Sequence, residues 1–493
     1  MSEIQLGTGV QSGRKEYRRM LRQWERIDDC LMGQDRIKER TVRYLPQPNA
    51  GDAVANVQND TRYQAYLNRA IFYNVSLSTV SGMVGQIFAR EPVSELPTRL
   101  DVLTQDAAGE GLTLMQLAKR ACRYTLAFGR AGILADFPET DNGVSEAQIE
   151  TGEVRPIVTV YEALNIINWR EIIVRGRKVL TLVVLREEYD DNRSEFAIDT
   201  KYQYRVLRLR DGVYTVQVYR DGVPTSEEVI PTDSAGEVIR RIPFTFIGSE
   251  NNDSDIDVPP MGAIANLNIG HYRNSADYEE STFVVGQPTL AVSGLTEDWL
   301  KNQLDGVINF GSRGGLALPA NASAELLQMQ PNSAAFEAME KKERQMVALG
   351  AKLVEQRNVQ RTAFETGVET ASETSTLQDV ANNVSAAIKF ALTRAAEFTG
   401  DTSSEIIYDL NDEFDIALMS SQDREQVIRS WSEDNAITFS EMRAVLRKSG
   451  VATLPDDEAR TQITAEMRER QQMAVNIQDD NDDDNNGNGS DAD

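Results

Sequence analysis

The sequence predicts an α+β chain, and three observations carry that prediction. Stretches with apolar residues three and four apart occupy both ends, the apolar period falls to two between Pro156 and Ile247, and the turn dipeptides Asp211-Gly212 and Asp221-Gly222 lie ten residues apart in that block. Such close turn spacing implies an antiparallel meander rather than alternating βαβ units.

From Gly13 to Arg40, Tyr17, Met20, Leu21, Trp24, Ile27 and Leu31 form one helical stripe. A second helix is expected from Tyr63 to Phe88, with Tyr66, Ala70, Tyr73, Leu77, Val80 and Val84 on one side and Pro92 beyond its end. A third, Thr113 to Phe128, groups Leu114, Leu117, Ala121 and Tyr124. The expected strands are Ile157–Tyr161, Val179–Leu185, Tyr202–Leu207 and Val213–Val218.

Pro259-Pro260 then opens a helix to about Val285, with Ile264, Leu267, His271 and Tyr278 near one stripe and Arg273 placed to pair with Asp277 at i, i+4. It stops at Gly286-Gln287-Pro288. A segment of short apolar runs and glycines, Thr289 to Leu327, returns into a helix from Ser333 to Leu353. Two helices flanking a small β insertion describe an out-and-back excursion with the insertion at its far end. After a polar stretch, Glu355 to Thr370, a long helix from about Ser372 to Phe398 carries Leu377, Val380, Val384, Ile388 and Leu392. A shorter pair follows, Ser421 to Trp431 and Ser440 to Leu446.

With 493 residues the chain is too long for one ordinary core and has ample apolar surface to bury without staples. Cys30 and Cys122 fit no disulfide or metal-ligand spacing, which implies buried thiols in a reducing compartment. No signal-like apolar core occurs in Met1–Gly13 and no stretch approaches the roughly 20 apolar residues of a membrane span, so no membrane association is expected. The formal charge of -26 argues against a protein that grips nucleic acid by neutralising phosphates. Charge is unevenly spread, with a basic excess in Met1–Ala50 and seven Asp without a cation in Asp479–Asp493, a tail expected to be disordered and solvating.

Few templates for chemistry survive. A single histidine, His271, rules out Ser-His-Asp, Cys-His and multi-histidine zinc arrangements, and it is expected to be a packed or hydrogen-bonded helix residue. Gly311-Ser312-Arg313-Gly314-Gly315 lacks the Lys-Ser or Lys-Thr of a nucleotide loop. Asp409, Asn411, Glu413 and Asp415 alternate like the start of a calcium loop, but Phe414 and Ser420 occupy the positions needing glycine and glutamate. No catalytic residue, cofactor or metal ligand is assigned. Clustered acids leave open a metal-dependent DNA-processing enzyme, and another virion structural protein, a scaffold or an adaptor, is a further alternative.

Several stretches resemble portal proteins of tailed bacteriophages, the head-to-tail connectors. They are Arg62-Tyr63-Gln64-Ala65-Tyr66-Leu67, Arg69-Ala70-Ile71-Phe72-Tyr73-Asn74, Gly82-Met83-Val84-Gly85-Gln86-Ile87-Phe88, Ile166-Ile167-Asn168-Trp169-Arg170, Ile242-Pro243-Phe244 with Phe246-Ile247-Gly248, Leu267 through Asp277, and Met346 to Leu353. The resemblance spans roughly Arg62 to Gly450. It implies a portal-like ring subunit, in which residues 1–258 are an α+β wing with its meander around 157–247, 259–286 and 328–354 a helical stem, and 287–327 a small β clip. It further implies a tunnel loop at 355–371, a channel-backing helix and return to the wing at 372–420, and a helical crown at 421–478, with 479–493 the acidic tail.

By the same resemblance the chain does no covalent chemistry. It is a dodecameric homo-oligomer at one vertex of the virion, assembled in the bacterial host cytoplasm. Double-stranded DNA passes through its channel during packaging and ejection, and the terminase large subunit, a head-tail adaptor, the major capsid protein and a scaffold are its partners. An acidic lumen suits a duplex that must slide. Weak exchangeable phosphate contacts are expected from Arg357 and Arg361 in the loop and from Lys341, Lys342 and Arg344 on the second stem helix, where a solvated face or intersubunit ion pairs are the simpler alternative.

Overall fold

The computed structural model describes residues 9–48, 60–137, 155–191, 196, 200–225, 227–286, 289–296, 301, 321–327, 333–354, 375–401, 405–412, 414, 421–432, 438–448, 458–466 and 468. It divides into two compact units, residues 1–412 and 413–493.

Helix α1 (Lys15–Met32) buries Tyr17, Trp24, Ile27 and Leu31, the expected stripe. Trp24 is fully buried and its indole N–H donates to the Phe128 carbonyl at 2.9 Å. The expected single helix to Arg40 is instead broken at Gly33, whose φ of 97° is left-handed territory open to glycine. Beyond it runs α2 (Gln34–Glu39). The break turns Arg36 and Arg40 back onto Asp29, a fully buried carboxylate that accepts from both Nε atoms at 3.0 Å and from the Tyr44 hydroxyl at 2.6 Å.

The expected helix from Tyr63 to Phe88 is also two, α3 (Thr61–Arg69) and α4 (Val75–Ile87). Long-range partners take the backbone between them out of the helix. The amide of Ile71 donates to the Ser275 hydroxyl, that of Phe72 to the Gln34 side chain, and the carbonyl of Tyr73 accepts from Asn268. Asn74 then caps α4, accepting from the Leu77 amide at 3.0 Å.

After the short strand β1 (Val93–Glu95) and the turn helix α5 (Val102–Gln105), α6 (Leu114–Phe128) begins at a reciprocal capping box between Thr113 and Gln116. It leads into β2 (Arg130–Asp136), the centre of a three-stranded antiparallel sheet flanked by β3 (Ile157–Glu162) and β9 (Phe244–Gly248). Gly132 in β2 faces the Phe244 ring so closely that a Cβ would collide with it.

The meander is a separate five-stranded sheet in sequential order: β4 (Ile166–Val174), β5 (Arg177–Asp190), β6 (Thr200–Arg210), β7 (Val213–Arg220) and β8 (Val223–Pro224). Its Asp-Gly turns have positive φ at both residues, 50° and 76° at Asp211-Gly212 and 50° and 80° at Asp221-Gly222, the geometry that matches strand twist. Ile157–Tyr161, expected in this meander, pairs with β2 instead. Period two marks a half-buried strand without saying which partner it takes.

Helices α7 (Gly262–Val285) and α8 (Ser333–Val354) enclose a two-stranded unit, β10 (Thr289–Ser293) and β11 (Ser323–Leu327). Helix α9 (Thr376–Thr399) starts at the Ser375 cap, ends at Gly400 and buries Leu377, Val380, Val384, Ile388 and Leu392 completely, each contributing on the order of 2 kcal/mol. It packs on α6, β2 and β9. Strand β12 (Ile407–Asp409) then pairs with β1.

The second unit contains α10 (Ser421–Ser432) and α11 (Phe439–Lys448), joined by an edge-to-face contact of Trp431 and Phe439 at 5.7 Å. Among the described residues no helix is long and apolar enough to cross a membrane. Cys30 and Cys122 are free and buried, and burial pushes the Cys30 thiol up to about 12.

Candidate functional site

The α7–α8 excursion is built in two halves that differ in what covers them. The first half of α7 is sunk in the body, with Ile264, Ala265, Ile269, Tyr272 and Ala276 buried. Polar pins fix it there. The Asn268 side chain accepts from the amide and hydroxyl of Ser76 and donates to the Tyr73 carbonyl at 2.7 Å, so this fully buried amide is well satisfied. The Tyr66 hydroxyl donates to Asp277 at 2.6 Å, and Arg69 pairs with Glu280 while stacking 3.7 Å over the Phe283 ring. The expected Arg273–Asp277 pair does not form, because Arg273 donates to the Tyr44 carbonyl at 2.7 Å while Asp277 serves Tyr66.

Antiparallel contacts then run outward without a slip. His271 Nε2 lies 3.0 Å from Glu343, the Lys342 ammonium donates to Asn274 at 2.7 Å, and the Tyr278 and Phe336 rings lie 5.9 Å apart. The same register continues into the strands, Thr289 opposite Leu327 through to Ser293 opposite Ser323, whose hydroxyls are 2.9 Å apart. The antiparallel helix pair and the antiparallel hairpin between its two helices in sequence, together the arm, follow the out-and-back order expected from the sequence.

Along that arm the covering thins. Among the described residues of α8 only Ala335 and Met346 are buried, whereas Phe336 is 46% exposed, Val347 70% and, on α7, Phe283 42%. The outward face of α8 carries Glu337, Glu340, Lys341, Arg344 and Lys352, all exposed, a mixed-charge face rather than a basic one.

The five cations singled out from sequence fall into three situations. Lys341 and Arg344 sit together on that exposed face. Lys342 is half-buried and spans to α7 through Asn274, so its charge is engaged in holding the helices together. Arg357 and Arg361 lie outside the described residues, as does the glycine-rich stretch 311–315. His271 is packed and paired, as expected of a single helix histidine.

Away from the arm, one titratable pair was not apparent in the sequence. A cavity of ≈ 520 Å³ between α1, α4 and α6 is lined by Asp28, Glu162, Lys119, Arg120, Arg123 and Tyr124, among others. Burial, reinforced by the charge of Asp28, pushes the Glu162 carboxyl up to about 7, and burial beside Asp29 raises Asp28 as well. Their numbers differ by 134 positions, so no local pattern signals the encounter. Among the described residues no group of three His, Cys, Asp or Glu is placed to hold a metal ion.

Residues 1–412 form a mixed α+β unit in which an antiparallel helix pair encloses a β-hairpin in sequence. Residues 260–399, which span that arm and α9, match the model of a family described as a Domain of unknown function (DUF4055). No curated protein matches the chain. Similar solved structures include a chain in the neck of an empty GTA particle computed with C6 symmetry, 14% identical with a TM-score of 0.40 over 76% of this chain and 90% of that one. A second is a chain of the virion of a native gene transfer agent (GTA) particle, 14% identical with a TM-score of 0.40, covering 83% and 98%. A third is in the neck of the native GTA particle computed with C12 symmetry, 15% identical with a TM-score of 0.40, covering 76% and 89%. Likeness at this level is too faint to assign function.

Proposed function

We propose that this chain is a portal subunit, a non-enzymatic ring component at one vertex of a tailed phage or phage-like particle, through which double-stranded DNA is packaged and ejected. The observation that carries the reading is the arm. An antiparallel helix pair, joined at His271–Glu343 and at Tyr278–Phe336, followed by an antiparallel hairpin supports a stem and clip of the kind the sequence resemblance implies, and the exposed Phe336 and Phe283 of its outer part offer apolar surface to neighbouring copies. The resemblance further implies twelve copies, with the terminase large subunit, a head-tail adaptor, the major capsid protein and a scaffold as partners.

In this reading movement of DNA is driven by a partner ATPase, and the chain supplies a conduit. A formal charge of -26 per copy disfavours tight phosphate binding and lets the duplex slide. Arg357, Arg361, Lys341 and Arg344 supply weak, exchangeable phosphate contacts, while Lys342 braces the stem. Sedimentation velocity on the purified chain tests the assembly. Twelve copies of 54.9 kDa give a species of about 660 kDa, and a chain that stays monomeric at every concentration and salt tried is incompatible with the reading. Particles built with Arg357→Ala and Arg361→Ala are expected to form rings normally but to package or retain DNA differently. Unchanged DNA content removes the loop arginines from the account.

A further inference from the structure

The five-stranded sheet ends in β4 on one side and in β8 on the other, and the exposed parts of these two strands differ in character. On the β4 edge, Ile172, Ile173 and Val174 run out past the sheet core and are 51%, 76% and 44% exposed. Alternation places Ile173 on one face and its two neighbours on the other, so both faces of this tip are apolar and wet. Exposed Arg170, Arg175, Arg177 and Lys178 surround it, none of them in an ion pair with a described residue. This cation density is unusual in a chain with 51 Lys and Arg against 77 Asp and Glu. A long, open, apolar edge strand is normally blunted, because it templates pairing with another chain.

The opposite edge is blunted. Strand β8 is two residues long, ends in Pro224 and pairs only with β7. Around it Val223 and Ile230 are 63% and 53% exposed, and the exposed acids Asp221 and Glu227 outnumber the one exposed cation beside Val223, Arg220, whose guanidinium is turned back onto Gln203 and the Tyr189 ring. One edge is therefore apolar and basic, the other apolar and acidic. Three strands, β5, β6 and β7, lie between β4 and β8 in the same sheet, so the two patches cannot meet within a chain.

We propose that the β4–β5 hairpin tip docks on the β8 edge of a second copy of this chain. The pairing is head-to-tail, since unlike patches meet, and a head-to-tail contact repeats from copy to copy until it closes. A nucleic acid is the lesser fit for the tip, because phosphates would neutralise the cations but leave Ile172, Ile173 and Val174 in water. The inference deepens the ring reading, on which it rests, by naming a body contact that is separate from the stem.

The test is a charge swap read by sedimentation velocity. Replacing Arg175, Arg177 and Lys178 by Glu is expected to raise the concentration at half-assembly at least tenfold. Adding Asp221→Lys and Glu227→Lys to the same chain is expected to restore it. A second variant, Ile173→Ser, should weaken assembly with no shift in the thermal midpoint of the unassembled chain, since the tip contributes nothing to the core. Assembly of the wild-type chain with no effect of the tip variants overturns the docking contact and leaves the ring reading standing. Normal assembly accompanied by lost duplex binding assigns the tip to DNA and also overturns it. A wild-type chain that never assembles removes both.

Discussion

Helices α9 and α8 are nearly equal in length, 24 and 22 residues, yet the chain treats them oppositely. Helix α9 is enclosed on nearly every side by α6 and the three-stranded sheet, and its apolar stripe is dry. Helix α8 keeps contact with α7 along one side and presents Phe336, Val347 and a mixed-charge face to solvent. The surroundings of α9 are thus satisfied within a single chain, whereas α8 has a surface left over. On the proposed ring reading α9 serves stability and the arm serves assembly, a contrast that can be broken by substitution.

The largest effect is expected in the body. Trp24→Ala removes a fully buried side chain together with its bond to the Phe128 carbonyl, and should cost about 3–5 kcal/mol, read as a lower midpoint in urea. A loss under about 1 kcal/mol would mean that the body is not the closed core described.

A smaller effect, with a pH signature, belongs to Glu162. Its carboxyl is raised from 4.5 to about 7 in the folded chain, so the stability it contributes is complete below pH 4.5 and is lost as pH rises through 7. Glu162→Gln should therefore stabilise the chain at pH 8.5 by about 1–2 kcal/mol, read as a higher melting temperature, and leave it unchanged at pH 4.5. A stabilisation equal at both pH values would contradict the burial of the charged form.

The smallest effect on the unassembled chain is expected in the arm. Phe336→Ser should change its stability by less than about 1 kcal/mol, the ring being 46% exposed and tilted against Tyr278 at 5.9 Å. Its effect should appear in assembly instead, as a lower proportion of the large species at matched concentration. Equal assembly would show that the exposed arm surface is not an interface.

The elements legible from sequence are those whose signals are local. Thr113 with Gln116 marks the start of α6, Ser375 and Gly400 bracket α9, and the Asp-Gly pairs set the meander turns. What escaped is set by distant partners. Nothing near Ala70 to Asn74 shows that Gln34, Asn268 and Ser275 will take its backbone hydrogen bonds and divide a helix in two. Nor does the pattern of Ile157–Tyr161 say that β2, not β4, is its neighbour. Arg130 is the extreme case, a cation 1% exposed between Trp169 and Phe246 whose guanidinium donates to the carbonyls of Ser254 and Asp255. Burial pulls its pKa down to about 9. Of the candidate site, the arm's topology was readable and the engagement of Lys342 by Asn274 was not, because it depends on which face of α8 meets α7.

Electron microscopy of the purified chain in negative stain addresses the proposed annulus most directly. Closed circular particles with a central opening about as wide as a DNA duplex, roughly 20 Å, are the expected result. Compact particles with no opening, at every salt and protein concentration tried, would contradict it.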